Sequence, residues 1–274
     1  MPATKLIQRR LEKVWGRRDL PATFGGAVAG DPIGEICFEH PDGRDVALAV
    51  KYLFTGARLS VQVHPDSASA ADGGYRCGKD EAWLVLAAEP EARIGLGLTQ
   101  TVSRAELRRA AQDGSIEALV DWRPVAAGDV IYAPAGTIHA LGAGLTLIEL
   151  QQACDLTYRL YDYGRDRELH LEEAVAVARP EPYRRSTPRR HVDGGREVLA
   201  EGRAFVLEKW TGTSVRTVAA ERATWLVPLV GAARIDGERA FAGEAWLIEG
   251  GGEVTLDANA AVLAAWPGKD PARH

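Results

Sequence analysis

The chain has 274 residues, 46% of them hydrophobic and 26% charged, with a formal net charge of −5. This length predicts one large all-β domain or two small domains, and the composition supports a buried core rather than disorder. The acidic balance argues against a nucleic-acid partner, and it means that an anionic substrate must be met by locally placed cations.

Two further features bear on the compartment. The three cysteines, Cys37, Cys77 and Cys154, are an odd number at unrelated spacings, which argues against a disulfide framework and indicates a reducing environment. No apolar run approaches the roughly 18 residues of a membrane span, and the basic N-terminus lacks the apolar core of a secretory signal. We therefore expect a cytoplasmic protein with no membrane partner.

Short segments punctuated by glycine, proline and aspartate predict a mainly β chain. The strand candidates are Val46–Phe54, Arg58–His64, Ala82–Ala87, Asp129–Ala133, Leu145–Gln151 and Thr157–Tyr161.

Helices are predicted at two places. The first is Ser103–Leu119, where Ser103 and Glu106 have the spacing of a capping box and an apolar stripe follows. A second, short helix is expected to begin near His170, on the segment LEEAVAVA.

The segment RPEPYRRSTPRRHVDGG is typical of a linker, and its arginines are interpreted as solvated rather than as a phosphate site. The chain is accordingly divided into an N-terminal catalytic domain (1–180), a linker (181–202) and a C-terminal domain (203–274).

A weak internal repeat relates the two halves. Gly128, Gly136 and His139 have the spacing of Gly243, Gly251 and Val254. Such a repeat in a strand-rich chain predicts a duplicated barrel of which one site has been lost, although chance glycines in turns are the competing explanation.

A cluster of metal-ligand residue types lies in the first half. Gln62 and His64 alternate on one predicted strand face with Ser60, and Lys79 and Glu81 repeat this pattern before Trp83. His139 follows a sharp turn at Pro134–Gly136. Two imidazoles, a carboxylate and an amide oxygen suit a divalent ion such as zinc, whereas each residue alone would more often be an ordinary surface or hydrogen-bonded side chain. The other histidines are interpreted as solvated: His40, His170, His191 and His274.

Several segments in the same order resemble the successive motifs of type I mannose-6-phosphate isomerases, a family of the cupin superfamily. They are LSVQVHPD, GKDEAW, YAPAGTIHALGAG and ELQQACDLTYRLYDYGR, with weaker matches at KVWG and IGEICFE. The chain differs from the family pattern at Cys154 and Ser67, and it lacks room for the large helical insertion of longer members.

The resemblance implies a mainly β fold of two cupin-type double-stranded β-helix barrels with a short helical segment, the second barrel lacking metal ligands. It implies one Zn²⁺ per chain, with the ligands Gln62, His64, Glu81 and His139. It also implies an essential arginine at Arg159 and active-site roles for Lys51, Ser60, Lys79 and Glu149.

The chemistry of the reaction gives these residues provisional roles. Glu149 shares a strand face with Leu145, Leu147 and Gln151, which favours a buried carboxylate with a raised pKa that could serve as a base, or equally a structural hydrogen-bond acceptor. Lys79 is either a neutral proton carrier or a phosphate ligand. The candidate phosphate ligands are Lys51, Lys79 and Arg165.

The leading hypothesis is a zinc-dependent isomerase that interconverts mannose 6-phosphate and fructose 6-phosphate through an enediol. The alternatives are an Fe(II) cupin dioxygenase and a non-catalytic sugar-binding cupin. The expected partner is a small sugar phosphate, not nucleic acid, and the sequence leaves a homodimer open.

Overall fold

The computed structural model of the chain describes residues 3–184 and 189–269. Within them the fold is mainly β. The strands up to residue 161 are β1 (Thr4–Lys5), β2 (Ile7–Arg17), β3 (Ile33–Glu39), β4 (Leu48–Thr55), β5 (Val61–Val63), β6 (Glu81–Ala88), β7 (Arg93–Leu98), β8 (Val120–Pro124), β9 (Val130–Ala133), β10 (His139–Leu141), β11 (Leu145–Gln152) and β12 (Tyr158–Tyr161). The later strands are β13 (Arg190–His191), β14 (Arg196–Glu201), β15 (Phe205–Thr211), β16 (Ser214–Val218), β17 (Thr224–Val230), β18 (Ala233–Ile235), β19 (Glu238–Ala240), β20 (Trp246–Ile248), β21 (Gly252–Leu256) and β22 (Ala261–Pro267).

The helices are α1 (Ser67–Asp72), α2 (Arg104–Asp113), α3 (Ile116–Leu119) and α4 (Leu171–Val177), with a short 3-10 turn at Ala22–Phe24. The capping box of Ser103 and Glu106 is present, and α4 lies where the second helix was expected. The first predicted helix is interrupted, because Gly114 adopts φ 83° and ends α2 before α3 begins. Among the described residues, no helix has both the length and the apolar character needed to cross a membrane.

The strands form four sheets. Sheet I has the order β2-β3-β4-β11-β6-β9 and sheet II the order β12-β5-β10-β7-β8. Sheet III has the order β1-β20-β17-β22-β15-β14-β13 and sheet IV the order β16-β21-β18-β19. Each sheet has two edge strands within the described residues, so the expected barrels occur as pairs of facing sheets rather than as closed hydrogen-bonded cylinders.

The apolar clusters show how these layers stack. One cluster joins sheets I and II through residues such as Trp83, Leu145 and Ile94, and another joins sheets III and IV. A third cluster packs sheet I against sheet III, and a fourth packs sheet II against the helices. Because β11 lies between two layers, all eight of its residues are buried. Apolar clusters therefore lie between all neighbouring layers, from the helices to sheet IV.

Two sequence expectations need correction. The segment 181–202, predicted as a linker, contains β13 and β14, which pair with each other and join sheet III through β15. Val198 and Leu199 in β14 are buried, which explains why this part of the segment forms a strand despite its charged flanks. The strand predicted at Arg58–His64 is only Val61–Val63, and Leu59 packs into the cluster between sheets I and II.

Candidate active site

A cavity of about 330 Å³, here called the polar cavity, opens between sheets I and II. Strands β2, β3, β4, β5, β6 and β11 each contribute a polar or charged side chain to it, because the alternation of each strand turns one face inward at this level. The charged residues and the histidine that line it are Lys13, Glu35, Lys51, Lys79, Glu81, Glu149, Asp155, Arg159, Arg167 and His170. Such a density of buried charge is typical of a functional site.

Three side chains that can hold a metal ion converge at this site: His64, Glu81 and His139. Glu81 begins β6, His139 begins β10, and His64 directly follows β5, and all three are only 1–2% exposed. The Nε2 atoms of His64 and His139 lie 3.2 and 3.3 Å from the two carboxylate oxygens of Glu81. The structure thus brings together three of the four ligands that the family resemblance implies.

The tautomers of both histidines favour metal binding. His64 Nδ1 lies 2.8 Å from the carbonyl oxygen of Leu156, and His139 Nδ1 lies 2.9 Å from that of Thr137. A carbonyl can only accept, so each Nδ1 must carry the proton and each Nε2 must present a lone pair. Two imidazole lone pairs and a carboxylate therefore face one another, and neither His64 Nε2 nor Glu81 Oε2 has a hydrogen-bond partner. A divalent cation would satisfy all of these atoms.

Gln62 stands beside this group. Its Nε2 lies 3.2 Å from His139 Nε2, and its Oε1 lies 3.1 Å from Ser60 Oγ. Because the oxygen and nitrogen of an amide are assigned from their surroundings, rotating this amide by 180° would point Oε1 at the donor set and Nε2 at the Ser60 hydroxyl. Gln62 thus fits the fourth ligand position, and Ser60 would fix its orientation.

A lysine also lies beside Glu81. Lys79 Nζ lies 3.2 Å from Glu81 Oε1. Burial acts to raise the pKa of Glu81, but the charges of His64 and Lys79 outweigh burial and hold that pKa well below its usual range. Burial lowers the pKa of His64 to about 4.

Glu149 is the acid–base candidate of the site. It is 6% exposed and accepts a hydrogen bond of 2.8 Å from Trp83 Nε1, its cross-strand partner. Burial, together with the negative charge of Glu81, raises the pKa of Glu149 to about 7. Lys51 Nζ lies 3.8 Å from Glu149 and 3.4 Å from Glu35, which links three charges across neighbouring strands. A carboxyl group that titrates near neutrality at the edge of a cavity can both accept and return a proton.

The two arginines predicted to act on substrate have different positions. Arg159 lines the polar cavity, and its backbone N–H donates to His170 Nδ1. Arg165 does not line this cavity, and its guanidinium donates to Asp162, 2.6 Å away. Arg167 also donates to Asp162, but it does line the cavity. Arg167 therefore stands where Arg165 was expected.

Several lining residues were missed from the sequence. Lys13 and Glu35 form an ion pair of 3.1 Å at the cavity edge, and they lie in the segments KVWG and IGEICFE, whose likeness to the family was weak. The alternation Ile33, Glu35, Cys37 could have identified Glu35. Asp155 carried no signal, since it lies in an irregular segment after β11.

The expectation that the remaining histidines are solvated holds only in part. His191 is exposed, and His274 lies outside the described residues. His40 is only 8% exposed, since it is packed at the end of β3, and His170 faces the polar cavity next to Arg159.

All three cysteines are free and buried. Cys77 and Cys154 pack with Leu156 in one small cluster beside His64. A hydrogen bond from Cys77 lowers the pKa of Cys154 to about 7, while the same contact raises the pKa of Cys77. Cys154, one of the two positions at which this chain departs from the family pattern, therefore belongs to a pair of thiols in contact.

The fold and the site define a mainly β protein with a buried set of metal donors facing a charged cavity. No family model matches the chain. Its fold is similar to the crystal structure of the mannose 6-phosphate isomerase from Bacillus subtilis, with a TM-score of 0.83 and 23% identity over 97% of this chain and 99% of that one. It is also similar to a mutant phosphomannose isomerase from Salmonella typhimurium, with a TM-score of 0.73 and 13% identity over 98% of this chain and 100% of that one.

Sequence relatives agree with this likeness. The mannose-6-phosphate isomerase of Streptococcus mutans is 37% identical over 199 residues, which cover 68% of this chain and 63% of that protein. The chain thus spans less than two thirds of that relative's length. The Bacillus subtilis protein named "Putative mannose-6-phosphate isomerase YvyI" is 32% identical over 238 residues, which cover 72% of each. The chain belongs to the mannose-6-phosphate isomerase family.

Proposed function

We propose that this chain is a metal-dependent aldose–ketose isomerase that interconverts mannose 6-phosphate and fructose 6-phosphate. The observation that carries the proposal is the buried donor set His64, Glu81 and His139, whose Glu81 lines the same cavity as Glu149, a carboxyl group with a pKa near 7. Membership of the family makes this reaction the best account of that convergence.

The metal is proposed to be one Zn²⁺ per chain, held by His64, Glu81, His139 and the rotated amide of Gln62. Imidazole nitrogens and a carboxylate suit zinc, and an amide oxygen completes four ligands. When bound, such an ion supplies a Lewis acid that polarises the substrate's oxygen atoms. Iron in a dioxygenase is disfavoured because a fourth ligand at Gln62 and the pairing of Lys79 with Glu81 depart from the set of two histidines and one carboxylate that is typical of such iron sites.

The fold is proposed to be of the cupin type, with each half a double-stranded β-helix. Two facing sheets per half, with the same strand order in both halves, support this. The division into domains stays a prediction, modified by the strands found within residues 181–202.

In the proposed reaction, Glu149 takes the proton from C2 of the sugar, and the electron pair moves toward the aldehyde oxygen on C1. Uptake of one proton by that oxygen gives an enediol. The hydroxyl on C2 then loses its proton as the C2=O bond forms, and the electron pair of the C1=C2 bond takes the proton back from Glu149 at C1, which gives the 2-ketose; the proton gained at the C1 oxygen is balanced by the one lost from the C2 oxygen. Arg159 is proposed to stabilise the negative charge that develops on the oxygen atoms. Trp83 holds the Glu149 carboxyl in place through its N–H.

Substrate binding is assigned to Lys51 and Ser60, which line the polar cavity. We propose Arg167 rather than Arg165 as the arginine that helps to bind the phosphate, because only Arg167 lines the cavity. Lys79 stays a second candidate for proton transfer, since its Nζ lies beside Glu81.

The test is a panel of aldoses and their 6-phosphates, assayed with the purified chain after loading with zinc. We expect mannose 6-phosphate to be converted with far higher efficiency than mannose, because losing two charged hydrogen bonds costs roughly a hundredfold or more. Equal turnover of free mannose would favour a free-sugar isomerase. Binding of the sugar phosphate without turnover would favour a non-catalytic cupin, and oxygen consumption with an iron-loaded sample would favour a dioxygenase.

A further inference from the structure

Two arginines share one buried carboxylate at the edge of the polar cavity. Asp162 directly follows β12 and is only 2% exposed. Arg165 Nη2 donates to Asp162 Oδ1 at 2.6 Å. Arg167 donates through two atoms, from Nε to Oδ2 at 2.6 Å and from Nη2 to Oδ1 at 2.7 Å. A bidentate contact of this kind fixes the plane of a guanidinium as well as its distance from the carboxylate.

The backbone after β12 explains why both arginines reach the same carboxylate. Tyr163 and Gly164 have φ of 56° and 76°, so the chain reverses directly after Asp162. Arg165 N and Nε then donate to the carbonyl oxygen of Asp162 at 3.0 and 3.2 Å. The backbone N–H of Arg167 donates in turn to the carbonyl oxygen of Arg165 at 2.9 Å. Asp162 is therefore bound by both its side chain and its backbone within one turn.

The two arginines differ in what they can reach. Arg167 lines the polar cavity, and Arg165 does not. Within residues 3–184 and 189–269, Asp162 is the one acceptor that the Arg167 guanidinium contacts. A guanidinium has five N–H donors, of which Asp162 takes two, so three remain for a ligand. Asp162 thus fixes Arg167 at the cavity without using up its donors.

Stability is a weak explanation for this arrangement. The desolvation of buried charges offsets much of their mutual attraction, so a buried ion pair adds little net stability. Orientation of a side chain that binds a ligand is the stronger explanation, because an arginine that is already held in one plane loses less freedom when an anion binds. Asp162 itself does not line the cavity, so it can act on a ligand only through Arg167.

We propose that Asp162 is a positioning residue that, through Arg167, gives the site its preference for a phosphorylated sugar over the free sugar. This inference rests on the proposed function, in which Arg167 helps to bind the phosphate. Free mannose lacks the group that Arg167 contacts, so its binding should not depend on Asp162.

The sign of the effect separates positioning from simple charge. Asp162→Asn removes a negative charge that repels the phosphate, and across the width of a guanidinium, about 7 Å, this change alone would tighten binding severalfold. The same variant loses the bidentate contact and frees Arg167, which should weaken binding by about tenfold or more, as the loss of one charged hydrogen bond does. Positioning therefore predicts weaker binding, whereas charge alone predicts tighter binding.

The test is calorimetric titration of the metal-loaded protein with mannose 6-phosphate at fixed ionic strength. We expect Asp162→Asn to raise Kd by about tenfold. In turnover assays KM for mannose 6-phosphate should rise with Kd while kcat stays within about twofold, and kcat/KM for free mannose should be unchanged. Arg165→Ala is the matched control, because it removes the other guanidinium from the same carboxylate, and it should bind mannose 6-phosphate like the wild type.

A double-mutant cycle tests whether Asp162 acts through Arg167. Arg167→Ala should weaken binding at least as much as Asp162→Asn, and adding Asp162→Asn to it should weaken binding no further. Unchanged or tighter binding by Asp162→Asn overturns the proposal, as does an additive loss in the double variant or an equal loss in Arg165→Ala. If Asp162→Asn does not fold, Arg167→Lys replaces it, since a lysine keeps the charge but cannot make the bidentate contact. Binding by Arg167→Lys with wild-type affinity then overturns the proposal.

The two readouts keep this inference apart from the proposed function. Absent turnover, with the differences in binding intact, would reject the isomerase activity alone. Normal turnover, with equal binding by Asp162→Asn and the wild type, would reject the role of Asp162 alone. A wild type that binds no sugar phosphate would reject both.

Discussion

The two halves of the molecule share the same order of strands, but the space between the two sheets is polar in the first half and apolar in the second. In sheet I the sequence of neighbours β9-β6-β11-β4-β3 corresponds to β20-β17-β22-β15-β14 in sheet III, and β5-β10-β7-β8 in sheet II corresponds to β16-β21-β18-β19 in sheet IV. The space between sheets I and II holds the metal donors, whereas the space between sheets III and IV is filled by an apolar cluster. The same backbone arrangement thus accommodates either interior.

Strand register shows which residues correspond. His139 pairs with Gln62, and Val254 pairs in the same way with Arg216. Glu81 pairs with the last residue of β9, as Thr224 does with the last residue of β20. The four ligand positions Gln62, His64, Glu81 and His139 thus correspond to Arg216, Val218, Thr224 and Val254.

The position of Glu149, the acid–base candidate, also carries a different residue in the second half. Glu149 pairs with Trp83, and in the second half Ala264 pairs with Leu226. Arg216, at the position of Gln62, lies with its guanidinium 5.5 Å from the Trp210 ring centroid. No metal-donor set occurs between sheets III and IV within the described residues.

The difference has an energetic meaning. A fully buried valine contributes roughly 1.5–3 kcal/mol through apolar burial, whereas a buried polar atom without a partner costs about 1–3 kcal/mol. Val218 and Val254 are 0–1% exposed, and His64 Nε2 and Glu81 Oε2 are buried without hydrogen bonds. The interior of the second half is therefore stabilised by apolar burial, whereas the donor atoms in the first half leave a cost that the proposed cation would relieve.

The largest expected effect concerns the metal itself. The protein should bind one equivalent per chain, and His139→Ala should lower both metal content and activity to the level of the chelated wild type, more than about a thousandfold below the holoenzyme. Val254→Ala, at the corresponding position, should leave metal content at one equivalent. Metal analysis and turnover measure both. Two equivalents per chain, or full activity after complete chelation, would contradict the contrast between the halves.

Glu149→Gln keeps the shape of the side chain and the hydrogen bond from Trp83 but cannot accept a proton. Turnover should fall by about 10²–10⁴-fold, and exchange of the C2 hydrogen with solvent deuterium should fall with it. Metal content should be unchanged, since Glu149 is not a proposed ligand. Near-normal exchange would move the role of base to Lys79.

Arg159→Ala should lower kcat by about a hundred- to a thousandfold and change KM less, because the arginine is proposed to act on charge that develops only in the transition state. Steady-state kinetics on the metal-loaded variant measure this. Arg165→Ala is the matched control, since that guanidinium is bound to Asp162 outside the polar cavity. Loss of metal or of the fold in Arg159→Ala would instead make the arginine structural.

The sequence predicted the site better than it predicted the layers. Motif order and strand alternation identified Gln62, His64, Glu81 and His139, because strands with a period of two place such residues on one face. The same alternation indicated a buried Glu149. The sheet order, the stacking of sheet I on sheet III and the strands within residues 181–202 depend on contacts between distant segments, which no local pattern encodes.

The missed side chains have the same explanation. Arg165 and Arg167 have similar local sequence, and only the turn after β12 decides which of them faces the cavity. Lys13 and Glu35 enter the site because β2 and β3 pair at the edge of sheet I, and in the sequence only the weak motif matches KVWG and IGEICFE cover them.

Titration of Glu149 should make the free energy of unfolding of the metal-free protein depend on pH. Its pKa in the folded protein, about 7, is above the ordinary 4.5, so the native state binds a proton that the unfolded chain releases. This contribution to stability is present at low pH and is lost as pH rises through 7. Relative to Glu149→Gln, the free energy of unfolding of the chelated wild type should fall by up to about 3 kcal/mol as pH rises from 5 to 8. Urea unfolding of both proteins measures it; parallel curves would mean that Glu149 is ionised throughout.

The smallest effect separates the halves by stability alone. With chelator present, Val254→Ala should lower the free energy of unfolding by about 1–2 kcal/mol, because a buried apolar side chain is truncated and a cavity left. His139→Ala should cost less under the same conditions, because removing the repulsion between the Nε2 lone pair and Glu81 offsets part of the cost of the cavity and of the lost hydrogen bond to the Thr137 carbonyl. Adding zinc should reverse the order: metal binding stabilises the wild type and Val254→Ala by roughly 4 kcal/mol at a thousandfold excess over Kd, and His139→Ala not at all. Urea unfolding with and without zinc measures all four differences. If zinc stabilises His139→Ala as much as it stabilises the wild type, the ion is bound elsewhere. The first half would then not differ from the second half by a metal site.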